Sequence, residues 1–416
     1  MYLAPCHTFL QSTFELCDNS KLCLIRFSTA NISMFVSSGL RFLKYKQLEH
    51  ISFRPHRTKN DNKHRRHRQP RTKIKIVYRI PTPRPSDRPP RVGIIGGPLM
   101  YGQPLKGPDT APDLLRSSYL ESRLKKKGVS VYDYGNLQFE TVRNDGEFVK
   151  GCKHSRTVGL ANSQIAERVE MVLKTERKVL LLGGDHSVAI GSIAGHSNFS
   201  KRNVAVIWVD AHPDINTPLT SLSGHLHGMP VSFLSREMPH IHPKLPGFEW
   251  LNPCISVKNL AYIGLRSIDP EEQDFIEKLN ICAFSAKDVR TLGVDFVMSA
   301  IMSQIDPWDR LPIHLSFDVD AMDPGIIPAT GTPVKCGLNL KEGLDIAKYI
   351  FKTGRLSVMD VVELNPKLAS KAESNWSADV IVEIIVRAFC GRRGYHFMTE
   401  PKEEESPSDL YTIRED

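Results

Sequence analysis

The chain has 416 residues, 41% of them hydrophobic and 24% charged, an ordinary soluble composition with room for one large α/β domain plus appendages, or for two domains. No apolar run approaches the roughly 18 residues that a membrane-spanning helix needs, and the most apolar early stretch, 22–40, is broken by Arg26 and Asn31, so no membrane association is expected. The net charge of +9 belongs to one end: residues 1–90 carry 18 Lys and Arg against 5 Asp and Glu, whereas the other 326 carry 37 against 41, which gives the main body no electrostatic reason to seek nucleic acid.

Eight cysteines lie scattered without a C-x-x-C pair, as suits a reducing compartment, and N-x-S sequons such as those at Asn198 and Asn375 then carry little meaning. Residues 1–90 read as a low-complexity basic extension, largely disordered. Its first 50 residues partly match a mitochondrial transit peptide, so the expected compartment is the cytoplasm, or the mitochondrion if this segment targets the chain there. Residues 54–75 form a solvated cationic run, read as a linker, with contact to RNA, an acidic surface or an import receptor as the alternative. A Pro-rich join, 81–91, follows. From Arg91 the character changes to an expected catalytic domain over 91–391, with a tail over 392–416. RVGIIGGP (91–98) is a buried strand ended by a turn, and 112–127 has helical spacing. A helix over 163–177, a strand over 178–184, a helix from Ser187 and a strand over 203–210 come next. Later strands are expected over 259–265, 312–318 and 356–364, with helices over 271–279, 340–351 and 377–389. Near-continuous apolar strands alternating with helices indicate a mainly parallel sheet covered on both faces, and such sheets bind ligands beyond the carboxyl ends of their strands.

That rule gathers scattered residues. The strand before Gly184 delivers Asp185 and His186; the strand ending at Val209 delivers Asp210, His212 and Asp214 at every second position, a spacing that sends extended-chain side chains to one side. Taken alone, that triplet could also be an Asx-rich turn. The strand over 312–318 adds Asp318 and Asp320, and the last strand adds Glu363. So many carboxylates at one edge would repel one another without cations. Four carboxylates, two imidazoles and no thiolate favour an oxygen-loving octahedral ion such as Mn²⁺, and six ligands suffice for two ions that share a water and ionise it near neutral pH. Hydrolysis is the expected chemistry.

Three motifs go beyond generic metal spacing: GGDHS (183–187), DAHPDIN (210–216) and SFDVDAMDP (316–324). With SGHLHGMP (223–230), PATGTP (328–333) and VVELNP (361–366), the chain resembles the arginase/agmatinase (ureohydrolase) family, and its arginase branch in particular, over about 91–391. The resemblance implies a three-layer αβα sandwich, a homotrimer and two Mn²⁺ per subunit. His186, Asp210, Asp214 and Asp318 would hold one ion, and Asp210, His212, Asp318 and Asp320 the other. It further implies that a hydroxide bridging the ions, oriented by Asp214, attacks the guanidinium carbon of L-arginine to give L-ornithine and urea. His227 would shuttle protons, a role that suits imidazole, and Glu363 would pair with the guanidinium. Asn216 and Ser223 would recognise the α-carboxylate, Asp269 the α-amino group, and Thr332 would lie near the guanidinium.

The chain departs from the family pattern at three positions. His225 replaces an Asn that normally helps to bind the α-carboxylate, Ser267 replaces Asp, and Pro213 replaces Thr. None is a metal position, so they bear on affinity for arginine rather than on hydrolysis. Agmatine or another guanidino compound is the alternative substrate, disfavoured because Asn216, Ser223 and Asp269 would be left unpaired, and a non-catalytic binding role is disfavoured by the complete ligand set. His154, His196 and His314 are read as structural or surface groups, Asp185 and Asp323 as turn or supporting hydrogen bonders, and Cys336 as no nucleophile.

Overall fold

The computed structural model describes residues 89–238 and 245–390 in full, and of residues 1–88 only the backbone of four strands. The chain divides into two compact units, Met1–Thr82 and Pro83–Asp416. In the first, β1 (Phe9–Glu15), β2 (Cys23–Phe27), β3 (Ser33–Val36) and β4 (Lys73–Arg79) form an antiparallel sheet in the order β3-β2-β1-β4. Apart from these strands, the disorder expected of residues 1–90 falls outside the described residues, as does the tail expected over 392–416.

The second unit is built on eight strands, β5 (Arg91–Gly97), β6 (Ser130–Asn136), β7 (Lys178–Gly183), β8 (Ala205–Val209), β9 (Leu260–Leu265), β10 (Cys282–Ser285), β11 (Ile313–Asp318) and β12 (Leu356–Val362). All pair in parallel, in the order β10-β9-β8-β11-β12-β7-β5-β6. Alternation along each strand divides its side chains between two apolar layers. Ala205, Ile207 and Val209 of β8 enter the layer formed by α1 (Ala111–Ser117), α2 (Leu120–Lys126), α7 (Ala286–Leu292), α8 (Val294–Ile305), α9 (Leu340–Thr353) and α10 (Lys371–Cys390). Val206 and Trp208 enter the opposite layer with α3 (Ser155–Lys174), α4 (Ala189–Ser200), α5 (Pro230–Leu234) and α6 (Pro270–Lys278). This is the three-layer αβα sandwich expected from the sequence.

Local differences have physical causes. The single helix expected over 112–127 is broken in two at Tyr119, whose φ of 60° lies in the left-handed region. Strands β6 and β10 and helices α7 and α8 are not among the expected elements: β6 is a partly exposed edge with a mixed pattern, and α8 is apolar around most of its girth, which hides helical periodicity.

One topological feature positions the site. β7 and β8 are consecutive in sequence but stand three places apart, with β11 and β12 between them. The four central strands therefore end side by side, and the loops that follow them face one another.

Candidate metal centre

The turns after β8 and β11 aim carboxylates by using one oxygen of each to hold the backbone. Asp210 Oδ1 accepts the His212 N–H at 2.7 Å, and Asp318 Oδ1 accepts the Asp320 N–H at 2.8 Å. The Asx turn and the ligand pattern are thus one structure rather than rivals. The second oxygens converge on His186: its Nδ1 lies 3.0 Å from Asp210 Oδ2, 3.1 Å from Asp214 Oδ2 and 3.0 Å from Asp318 Oδ2, yet makes no directed hydrogen bond. Beside it, His212 Nδ1 is 3.1 Å from Asp320 Oδ2 and 3.4 Å from Asp210 Oδ1. Two overlapping groups result, His186-Asp210-Asp318 and Asp210-His212-Asp320, each with donor atoms within 4.8 Å of one another. A buried nitrogen ringed by anionic oxygens with none in hydrogen-bond line is a donor set that fits a divalent cation.

Electrostatics point the same way. Burial, Asp320 and Asp210 push the Asp318 carboxyl well above the usual range, and burial with Asp210 pushes Asp214 up to about 6. Packed like charges of this kind are stable when a cation sits among them. Asp214 and Glu363 also hold left-handed backbones, with φ of 48° and 64°, and such strain concentrates at functional sites.

Around this centre, Trp208 stacks on the His186 ring with centroids 4.1 Å apart and donates Nε1–H to Asp210 Oδ2 at 3.0 Å. Sequence reading missed it, although its place two residues before Asp210 on the strand was the available signal. Glu363 Oε1 accepts the His186 N–H at 2.8 Å and faces His227 Nδ1 at 3.0 Å. Gly331 lies beside Glu363 Oε2: a Cβ built on it would stand 4.0 Å from that oxygen, in ordinary contact. Burial opposes a charged His227, but Glu363, Asp214 and Asp185 together raise its pKa to about 9. Thr332 Oγ1 donates to Asp320 Oδ2 at 2.8 Å. Asp185 accepts the N–H groups of Gly102 and Ser187, and Asp323 those of Gly325 and Gly337, so both serve turns. Cys336 is exposed.

A cavity of about 330 Å³ opens over these residues, lined also by Asn216, Ser223, His225, Ser267 and Asp269. Asn216 is fixed by donating to Asp269 Oδ2 at 2.9 Å and accepting from Thr220 Oγ1 at 2.8 Å. Burial, with Lys153, His227 and His154 nearby, lowers the His225 pKa to about 4, so this ring is neutral at pH 7. Glu272 lines the cavity as well and was missed: it accepts the N–H groups of Ile215 and Asp269, joining the Asp214 loop to the start of α6. The capping box Asp269-Pro-Glu-Glu272 was its sequence signal.

A model of the arginase family matches residues 90–390. The chain belongs to the arginase family. This arginase-family chain is 46% identical over 317 residues to human Arginase-1, a match covering 75% of the chain and 98% of the relative. Among solved structures, the arginase from Bacillus caldovelox shares 32% identity at a TM-score of 0.66, covering 74% of this chain and 99% of that one. The arginase of Entamoeba histolytica, in complex with L-ornithine, shares 29% at a TM-score of 0.63, covering 73% and 98%. Family membership makes the chain an arginase-type hydrolase. Among the described residues no helix is long and apolar enough to cross a membrane.

Proposed function

We propose that the chain hydrolyses L-arginine to L-ornithine and urea at a site holding two Mn²⁺ ions. The observation that carries this is the pair of overlapping donor groups sharing Asp210, beside a cavity lined by His212, Asp214, Asp318 and Asp320. His186, Asp210, Asp214 and Asp318 would hold one ion and Asp210, His212, Asp318 and Asp320 the other; oxygen-rich sets without thiolate suit manganese. Two such ions would supply Lewis acidity and make a water acidic near neutral pH.

The protein groups divide the remaining work. Glu363 Oε1 is occupied by His186 and His227, which leaves Oε2 to pair with a planar guanidinium and fix its carbon over the centre. His227 turns Nδ1 to Glu363 and so keeps Nε2 free to carry a proton to the departing amine. Asn216, Ser223, Asp269 and Thr332 line the path that the rest of an amino acid would occupy. Because His225 is neutral, it meets an α-carboxylate as a hydrogen-bond donor rather than as a charge. Replacing it with Ala is expected to raise the KM for arginine about tenfold with little change in kcat, the signature of lost ground-state binding. Steady-state kinetics of the two proteins check this, and an unchanged KM would take His225 out of substrate recognition.

The test of the whole reading is urea release by Mn²⁺-loaded protein offered L-arginine and agmatine side by side. Urea from arginine alone supports it; urea from agmatine alone would reassign Asn216, Ser223 and Asp269. Residues 91–391 form the proposed catalytic domain, working as a homotrimer, with the cytoplasm as its compartment and the mitochondrion as the alternative. Removing residues 1–88 is expected to leave kcat within about twofold, since no residue of the proposed site lies there; a soluble, folded truncation without activity would overturn that division.

A further inference from the structure

A buried file of polar side chains leads away from the metal-side residues into the layer under α4. Alternation along β11 puts His314 and Ser316 on one face and Leu315 and Phe317 on the other, and strand register sets Asp360 of β12 beside Ser316. Helix α4 brings Ser192 and His196 onto the same spot. All five of these polar residues are fully buried. His186 Nε2 is 2.9 Å from Ser316 Oγ, whose hydroxyl lies 3.5 Å from Asp360 Oδ2. Asp360 Oδ2 also receives His314 Nε2 at 2.7 Å, and its Oδ1 receives the Ser192 hydroxyl at 2.5 Å. His314 Nδ1 meets His196 Nδ1 at 3.2 Å, and His196 Nε2 has no partner.

The hydrogens in this file can be placed from one end. A carboxylate at Asp360 only accepts, so Ser192, His314 Nε2–H and Ser316 all donate to it. Ser316, having given its hydrogen to Asp360, can only accept from His186, which puts the His186 hydrogen on Nε2. With the Nε2 hydrogen so held, Nδ1 is the ring atom that stands among Asp210, Asp214 and Asp318, where it would offer its lone pair to a cation. At the far end His196 donates from Nδ1 to His314, and the atom left unpartnered is a lone pair, which costs less to leave unmade than an N–H.

We infer that Asp360, seated by Ser192 and His314, is a positioning residue that acts through Ser316 to fix the tautomer and ring orientation of His186. This rests on the proposed metal reading of the centre. Asp360→Asn would put an amide donor where an acceptor stood; Ser316 would turn its hydrogen toward His186, and the imidazole would present Nδ1–H to the carboxylates. Supporting groups of this kind typically alter metal affinity by about 10- to 100-fold.

The experiment titrates metal-free full-length parent, Asp360→Asn and Ser192→Ala with Mn²⁺, reading free ion by electron paramagnetic resonance and melting temperature in parallel. The expected result is two ions in the parent, one of the two weakened about 10- to 100-fold in Asp360→Asn, and the same ion weakened severalfold in Ser192→Ala. A purely structural role would lower the melting temperature and leave both affinities unchanged, which overturns the inference. Should Asp360→Asn fail to fold, Ser192→Ala decides by the same criterion. A parent that binds no Mn²⁺ removes the metal reading and this inference with it, whereas a parent binding two ions and an Asp360→Asn binding them equally well removes this inference alone.

Discussion

Asp210→Asn is expected to lower kcat for urea release about a thousandfold while leaving a folded chain. Asp210 is the residue common to both donor groups, touching His186 through Oδ2 and His212 through Oδ1. An amide keeps its shape, and its oxygen can still accept from the His212 backbone, so the turn survives. What is lost is the negative charge that both cations would share and one of the two oxygens able to ligate. Electrostatic stabilisation by metal amounts to several kcal/mol, and about 4 kcal/mol corresponds to a thousandfold in rate. Metal analysis of the purified variant should show fewer than two Mn²⁺ per chain. A variant that holds two ions and turns over near the parental rate would end the shared-ligand assignment.

Glu363→Gln is expected to lower kcat/KM for arginine by about 10- to 100-fold, the range in which loss of a charged hydrogen-bonded pair falls. The substitution also reaches His227, whose pKa stands at about 9 because Glu363 bonds to it, with Asp214 and Asp185 adding their charge against the opposing effect of burial. A histidine with a raised folded-state pKa adds stability that is fully present below its unfolded value of about 6.5 and is lost as pH rises through about 9. Metal-free parent should therefore lose stability between pH 6.5 and 9 more steeply than metal-free Glu363→Gln. Urea denaturation at pH 6 and pH 10 checks this, and parallel pH dependences in the two proteins would show that Glu363 does not set the His227 charge.

Much of the site is legible in the amino-acid order alone. The strands that carry it are continuous apolar runs ending abruptly in acids, so their type and their carboxyl ends are readable, and strand-end chemistry points to Asp210, Asp318 and Glu363. The clustering of those residues depends on strand order, which a sequence does not display. Residues that hold others in place are harder to see. Trp208 and Ser316 sit inside strand patterns as ordinary buried positions, and Asp360 breaks an apolar run in LSVMDVV without any motif around it. Their roles come from register: Ser316 meets Trp208 on one side and Asp360 on the other. The expected continuous helix over 112–127 fails because its periodicity continues through Tyr119 while the backbone does not.

The central position of β12 has a consequence for synthesis. A nascent chain halted before Leu356 would possess β6, β5 and β7 as one block and β11, β8, β9 and β10 as another, with β7 and β11 each presenting an open, apolar rim where β12 belongs. Such rims recruit other chains, so premature termination yields sticky fragments rather than a smaller working domain. Glu363 emerges from the ribosome directly behind the closing strand, and the cavity acquires this carboxylate, the proposed guanidinium partner, only when the wedge that joins the two blocks is ready to enter. Until then, an incomplete chain lacks the carboxylate proposed to pair with the guanidinium.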